Sequence, residues 1–185
     1  MHVAGAIAEI VTGQSFVDLL SERILQPLGM TRTALFQVGD FRLDDVTHPS
    51  PAGTGASTLG DYARFVEMLA HDGVAPDGTV VLTAESVAEM QRDQIADAAY
   101  VSAAAFRVAT ESPYGLGQWI DWTDESGNAI VVSSDGKFGF RPWIDRVNDL
   151  FGVYLIDDRG EGYVEGDPDA AADTGEKVHT SGLWI

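Results

Sequence analysis

The stretch that most constrains the fold runs from residue 129 to residue 157, AIVVSSDGKFGFRPWIDRVNDLFGVYLID. It is patterned as three short strands joined by tight turns. Residues 129–133 are nearly all apolar and β-branched, which suits a strand buried on both faces. Ser134-Asp135-Gly136-Lys137-Phe138-Gly139 follows, where two glycines let the backbone turn sharply and approach another group closely. Residues 140–145 give a second strand, and Pro142 inside it predicts an edge or a bulge, because proline cannot donate to a ladder. A turn at residues 146–149 leads to an apolar third strand, residues 150–156. The pattern predicts an antiparallel meander.

Before the meander the periodicity is helical. Residues 3–12 place Val3, Ile7, Ile10 and Val11 on one side of a helix that Gly13 ends. Ser15 is set to cap a second helix with Asp18 in its first turn and Phe16, Leu19, Leu20 and Ile24 as its apolar stripe, ended by Pro27. Residues 36–56 are rich in Gly, Pro, Asp and Thr and are expected to form a long loop. Thr58, with Asp61 three residues on, opens a helix to His71 whose core side is Leu59, Tyr62, Phe65, Val66 and Leu69. Thr83 caps another to Arg92. The weak pattern of residues 93–112 leaves 103–108 open between a helix and a covering loop. Residues 114–123 are expected to form a strand, and 124–128 a turn. Helices first and strands afterwards give an α+β class.

Composition narrows the function classes. Eleven Lys and Arg against 29 Asp and Glu leave a net charge of −18, with Lys137 and Lys177 the only lysines. Such a surface repels nucleic acid and anionic membrane, so neither is an expected partner. In molar salt the self-repulsion is screened within about 3 Å, and the lysine-poor acidic surface predicts adaptation to high salt. Without cysteine there is neither a disulfide nor thiolate chemistry. No apolar run reaches membrane-spanning length and residue 1 opens no signal-like segment. A soluble chain is expected, cytoplasmic by default.

Several stretches together carry a resemblance. Gly136 to Tyr154, GKFGFRPWIDRVNDLFGVY, follows in order Pro27-Leu28-Gly29-Met30-Thr31, then Pro51-Ala52-Gly53 with Ser57-Thr58-Leu59-Gly60-Asp61-Tyr62-Ala63-Arg64-Phe65, then Tyr114-Gly115-Leu116-Gly117. Over residues 1–157 the chain resembles the serine β-lactamase and penicillin-binding-protein superfamily, in the branch of class C β-lactamases, D-alanyl-D-alanine carboxypeptidases and esterases. The resemblance implies a partial β-lactamase-like fold. Its expected layout is a helical region over 1–112, antiparallel strands over 113–157, and an acidic loop with the start of a truncated helix over 158–185.

A serine acyl-transfer enzyme needs a nucleophile, a base and two donors aimed at the oxyanion. The resemblance implies three elements: a helical Ser-x-x-Lys, a Tyr-x-Asn or Ser-x-Asn, and a Lys/His-Ser/Thr-Gly strand. Only the third maps onto this chain, as Ser134-Asp135-Gly136, with the backbone N–H of Lys137 as an oxyanion donor. Ser134 stands where Lys or His is usual. Phe138 and Tyr114 are the implied substrate-binding positions. A literal Ser-x-x-Lys occurs at Ser134 to Lys137, but at a strand end, where side chains three apart point oppositely. No nucleophile is therefore assigned, and the other two elements are expected upstream of Met1. With Thr180-Ser181-Gly182 resembling the opening of a helix, both ends are expected to be cut, leaving a sheet edge and face uncovered and prone to self-association.

Other constellations are given their plainer reading. His2, His48, His71 and His179 lack metal-ligand spacing. The carboxylate-rich residues 157–176 lack the order of a calcium loop, and Gly53-Thr54-Gly55 is too short to cradle a phosphate. No metal and no cofactor are expected. Trp119, Trp122, Trp143, Phe138 and Phe140 are either core or the lining of an acyl pocket. Two function classes follow: a β-lactamase-family serine hydrolase present as a fragment acting on a β-lactam, peptide or ester when completed, or a non-catalytic binding or scaffold module of that fold.

Overall fold

A computed structural model describes residues 2–36, 46, 49–95, 113–136 and 139–155. The chain divides into two compact units, residues 1–91 and 92–185. Together they hold helices followed by an antiparallel sheet, the α+β class expected.

In the first unit, α1 (His2–Thr12) leads to α2 (Phe16–Leu20), whose N-cap Ser15 accepts a hydrogen bond from the Asp18 N–H. The second helix is not one continuous α-helix as its stripe predicted. At Ser21–Leu25 it widens into a π-helical turn. The N–H of Gln26 reaches back to the carbonyl of Ser21 and that of Met30 to Leu25, each five residues away, at 2.9 and 2.8 Å. The sequence period that predicts 3.6-residue turns carries no sign of such a local widening.

On α1, Gly5 is the buried residue: a Cβ there would lie 2.9 Å from Cγ of Pro51. Close packing of that face leaves the opposite one outward. Val3, Ile7, Ile10 and Val11 are all more than half exposed, Ile10 at 82%.

The long loop expected at 36–56 ends in structure. β1 (Ala34–Leu35) pairs antiparallel with β2 (Gly55–Ala56); residues 37–45, 47 and 48 lie outside the described residues. Next come α3 (Leu59–Ala70), capped by the Thr58 hydroxyl, and α4 (Ala84–Met90), capped by that of Thr83. Val66 and Leu69 of the expected core side are buried, and Met68, which the stripe did not include, is fully buried.

Asp61 does more than its place in the first turn of α3 suggests. Its carboxylate is buried and accepts from the Arg32 N–H at 2.7 Å, the Thr33 hydroxyl at 3.0 Å and Nη1 of Arg64 at 2.9 Å. The Thr33 and Ser57 hydroxyls lie 2.7 Å apart beside it. Arg64 also donates to the Gly29 carbonyl at 3.3 Å. One carboxylate thus ties the 29–33 turn to the start of α3. Tyr62, next along, has its phenol pushed up to about 12 by burial.

The second unit contains one four-stranded antiparallel meander, β3 (Trp119–Thr123), β4 (Ala129–Ser133), β5 (Arg141–Asp145) and β6 (Leu150–Tyr154), in that spatial order. Register aligns Ile120, Val132, Ile144 and Phe151 in one row across all four strands. The first three are at most 3% exposed, so this row lies in the core. The next row, Trp119, Ser133, Trp143 and Gly152, lies on the other face, because successive residues of a strand point to opposite sides. The β3–β4 and β5–β6 turns are held by Asp124 and Asp145. Hydrogen bonds from Asn128 and Asn148 draw the two carboxyls below their ordinary range.

Two strand expectations are corrected. β3 begins at Trp119, not at 114: the Gly115 N–H bonds to the Gln118 carbonyl at 2.8 Å and Gly117 takes a φ of 88°, folding residues 115–118 into a reversal. Pro142 lies in an interior strand without a bulge, opposite Val153 of β6. Its carbonyl accepts the Ser134 N–H at 3.1 Å. The absent proline N–H therefore falls just past the last residue of β4, where one ladder bond is given up with the rest intact.

Replacing Asp61 with Ala strips acceptors from three donors at once. The expected loss is about 2–3 kcal/mol of unfolding free energy, read from the urea midpoint.

Candidate active site

At the end of β4 the chain leaves the sheet through Ser134, Asp135 and Gly136 and returns through Gly139 and Phe140. The Gly136 N–H bonds to the Phe140 carbonyl at 2.7 Å, and the Gly139 N–H to the Gly136 carbonyl at 3.2 Å. Gly139 sits at a φ of 92°, open to glycine and costly for other residues. Gly136 is closely packed: a Cβ there would lie 3.1 Å from Cβ of Phe140, which would have to give way by a few tenths of an ångström. The glycines that marked this segment thus serve a tight reversal between β4 and β5; Lys137 and Phe138 lie outside the described residues.

Of the candidate residues, Ser134, Asp135 and Gly136 are contiguous at this strand end. Ser133, just before them, is 2% exposed. Trp119 lies across from Ser133 on β3, and Tyr114 meets the Trp119 ring edge-on with centroids 4.7 Å apart. Tyr114 is therefore one aromatic ring removed from the strand leading into the site. Its backbone is fixed as well. The Tyr114 carbonyl accepts from the Gln94 N–H at 2.9 Å, and the Asp93 carboxylate accepts from the Ile95 and Tyr114 N–H groups at 3.0 and 3.4 Å.

The aromatic residues divide. Trp119 is buried and Trp143 half-buried in the same row, whereas Trp122 stands 68% exposed. Register shifts on either side of Trp122 interrupt its pairing with β4. Trp143 lies flat against β6 because Gly152 has no side chain; a Cβ there would come within 2.6 Å of the indole.

A charged group missed by sequence reasoning completes the strand end. Arg141, the first residue of β5, has Nε 3.4 Å from Oδ1 of Asp135 and Nη2 3.8 Å from Oδ2 of Asp121 on β3. The two carboxylates are 16% and 17% exposed and the arginine 49%. A charged residue opening a largely apolar strand was the signal available. Its partners, six and twenty residues back, were not visible without the register.

No group of His, Asp and Glu among the described residues is arranged to hold a metal ion. The literal Ser-x-x-Lys pair begins where Ser134 leaves β4, so it is not the first turn of a helix. The N–H groups of Ser134, Gly136 and Gly139 are each taken up by carbonyls of this same hairpin.

Comparison with known proteins agrees with this architecture. The Beta-lactamase family model matches residues 1–176, and the chain belongs to the serine β-lactamase and penicillin-binding-protein superfamily. It is 33% identical over 159 residues to penicillin-binding protein 4 of Amycolatopsis lactamdurans, covering 75% of this chain and 40% of that protein. A putative β-lactamase structure from Bacteroides dorei superposes with a TM-score of 0.71 at 33% identity, over 88% of this chain and 49% of that one. A β-lactamase from Mycobacterium bovis gives 0.63 at 25% identity, over 87% and 55%. The chain thus spans about half the length of these solved structures, and less of the curated relative.

Replacing Gly152 with Ala forces the Trp143 indole off β6. A loss of about 1–3 kcal/mol is expected, measured by urea unfolding followed through tryptophan fluorescence.

Proposed function

We propose that this chain forms part of a serine hydrolase of the β-lactamase family, working through an acyl-serine intermediate on a β-lactam, peptide or ester. In this reading Ser134-Asp135-Gly136 is one wall of the acyl pocket, the Lys137 N–H is an oxyanion donor, and Phe138 and Tyr114 contact the substrate. The observation that carries it is the glycine-built hairpin at the end of β4, next to a buried serine and the Tyr114–Trp119 aromatic pair.

An acyl-serine step requires a hydroxyl with a base beside it. Among the described residues no helix of this chain carries Ser-x-x-Lys, so the proposal includes that the 185-residue chain is inert alone and depends on a nucleophile from outside it. Incubating the chain with a fluorophosphonate and with a penicillin, then weighing it intact, is expected to show no added mass. A covalent adduct on any serine would refute the inert reading.

The net charge of −18 supports a second element, function at high salt with self-association through uncovered apolar surface. The outward side of α1 is such a surface in the described residues. Raising KCl to molar concentration is expected to raise the thermal midpoint and to shift the sedimentation coefficient upward, as screening removes the repulsion between copies. A midpoint that falls or stays level would count against it.

A further inference from the structure

We propose that Arg141 is the positioning residue of the strand end formed by Ser134, Asp135 and Gly136. The proposal rests on reading that strand end as part of an acyl pocket, and it assigns the pocket a residue outside its own loop.

The register places the group. Ser133 stands opposite Trp143, and continuing the antiparallel pairing by two residues puts Asp135 opposite Arg141. The guanidinium then extends past the end of β4 to Asp121 on β3, with contacts of 3.4 Å to Asp135 and 3.8 Å to Asp121. A single cation on β5 therefore draws together a side chain just past the end of β4 and one on β3, the strand beyond it. The two carboxylates are largely withdrawn from solvent, where like charges repel more strongly than in water. A positive charge between them turns that repulsion into attraction toward the sheet.

Gly136 has no side chain with which to anchor itself. Its N–H is held by the Phe140 carbonyl at 2.7 Å, and Phe140 is the neighbour of Arg141. Asp135 on one side and Phe140 on the other hold Gly136, and Arg141 restrains both: one through its carboxylate, one through the chain. Arg141 acts on the pocket through these groups. It is a positioning residue and not a catalytic one.

Amide hydrogen exchange on the ¹⁵N-labelled 185-residue chain tests this. In R141Q the Gly136 amide is expected to exchange about ten-fold faster or more, while Val132 and Met68 amides keep their rates, since a local opening leaves the global one unchanged. R141K keeps the charge and is expected to hold Gly136 within about three-fold of the parent rate. The D135N/R141Q double variant removes the carboxylate facing Asp121 and is expected to recover part of the protection. Unchanged Gly136 exchange in R141Q would overturn the proposal. So would equal acceleration at Val132 and Met68, which would mark a general loss of fold, or R141K exchanging as fast as R141Q. Acyl labelling plays no part in the readout, so its outcome and that of the pocket reading are separable.

Discussion

The register of β4 between β3 and β5 decides everything that follows in the second unit. Ile120, Val132 and Ile144 must share a face to leave water together, and a shift by one residue would carry all of them to the other side. Once that row is set, Ser133 lies between Trp119 and Trp143, Ser134 meets Pro142, and Asp135 comes level with Arg141. The position of the candidate site is thus a by-product of burying three branched side chains.

The first unit depends on a comparable economy. Asp61 accepts from groups on the 29–33 turn and on α3, and each of those donors would otherwise be left without this acceptor close to the protein interior. A carboxylate can serve in this way because it offers several acceptor positions at once. The family resemblance running through Pro27-Leu28-Gly29-Met30-Thr31 and Ser57-Thr58-Leu59-Gly60-Asp61 corresponds to two segments that this one side chain joins.

What the sequence disclosed and what it hid separate by distance along the chain. Ser15, Thr58 and Thr83 were readable as caps because each bonds an N–H three residues on, and the meander was readable from its turns. Asp61 passed for an ordinary first-turn acid, since Arg32 and Thr33 lie 29 and 28 residues away. Arg141 was overlooked for the same reason. Pro142 was misjudged because the rule against interior proline assumes a ladder continuing past it, whereas β4 stops beside it. β3 was drawn too long because two glycines between apolar residues do not announce a reversal. The residues proposed for an acyl pocket were legible only through family likeness; the described part adds the backbone geometry of Ser134, Asp135 and Gly136, and Lys137 and Phe138 lie outside the described residues.

Pro142 also has a bearing on how the hairpin can misalign. A slip of two residues keeps the apolar row on its proper side, so burial alone does not forbid it. It would, however, bring the donor-less proline nitrogen opposite Val132, which is 2% exposed, and leave that residue's carbonyl without a donor from β5, at about 1–3 kcal/mol. The imide ring thus works as a ratchet stop against a slip in that one direction.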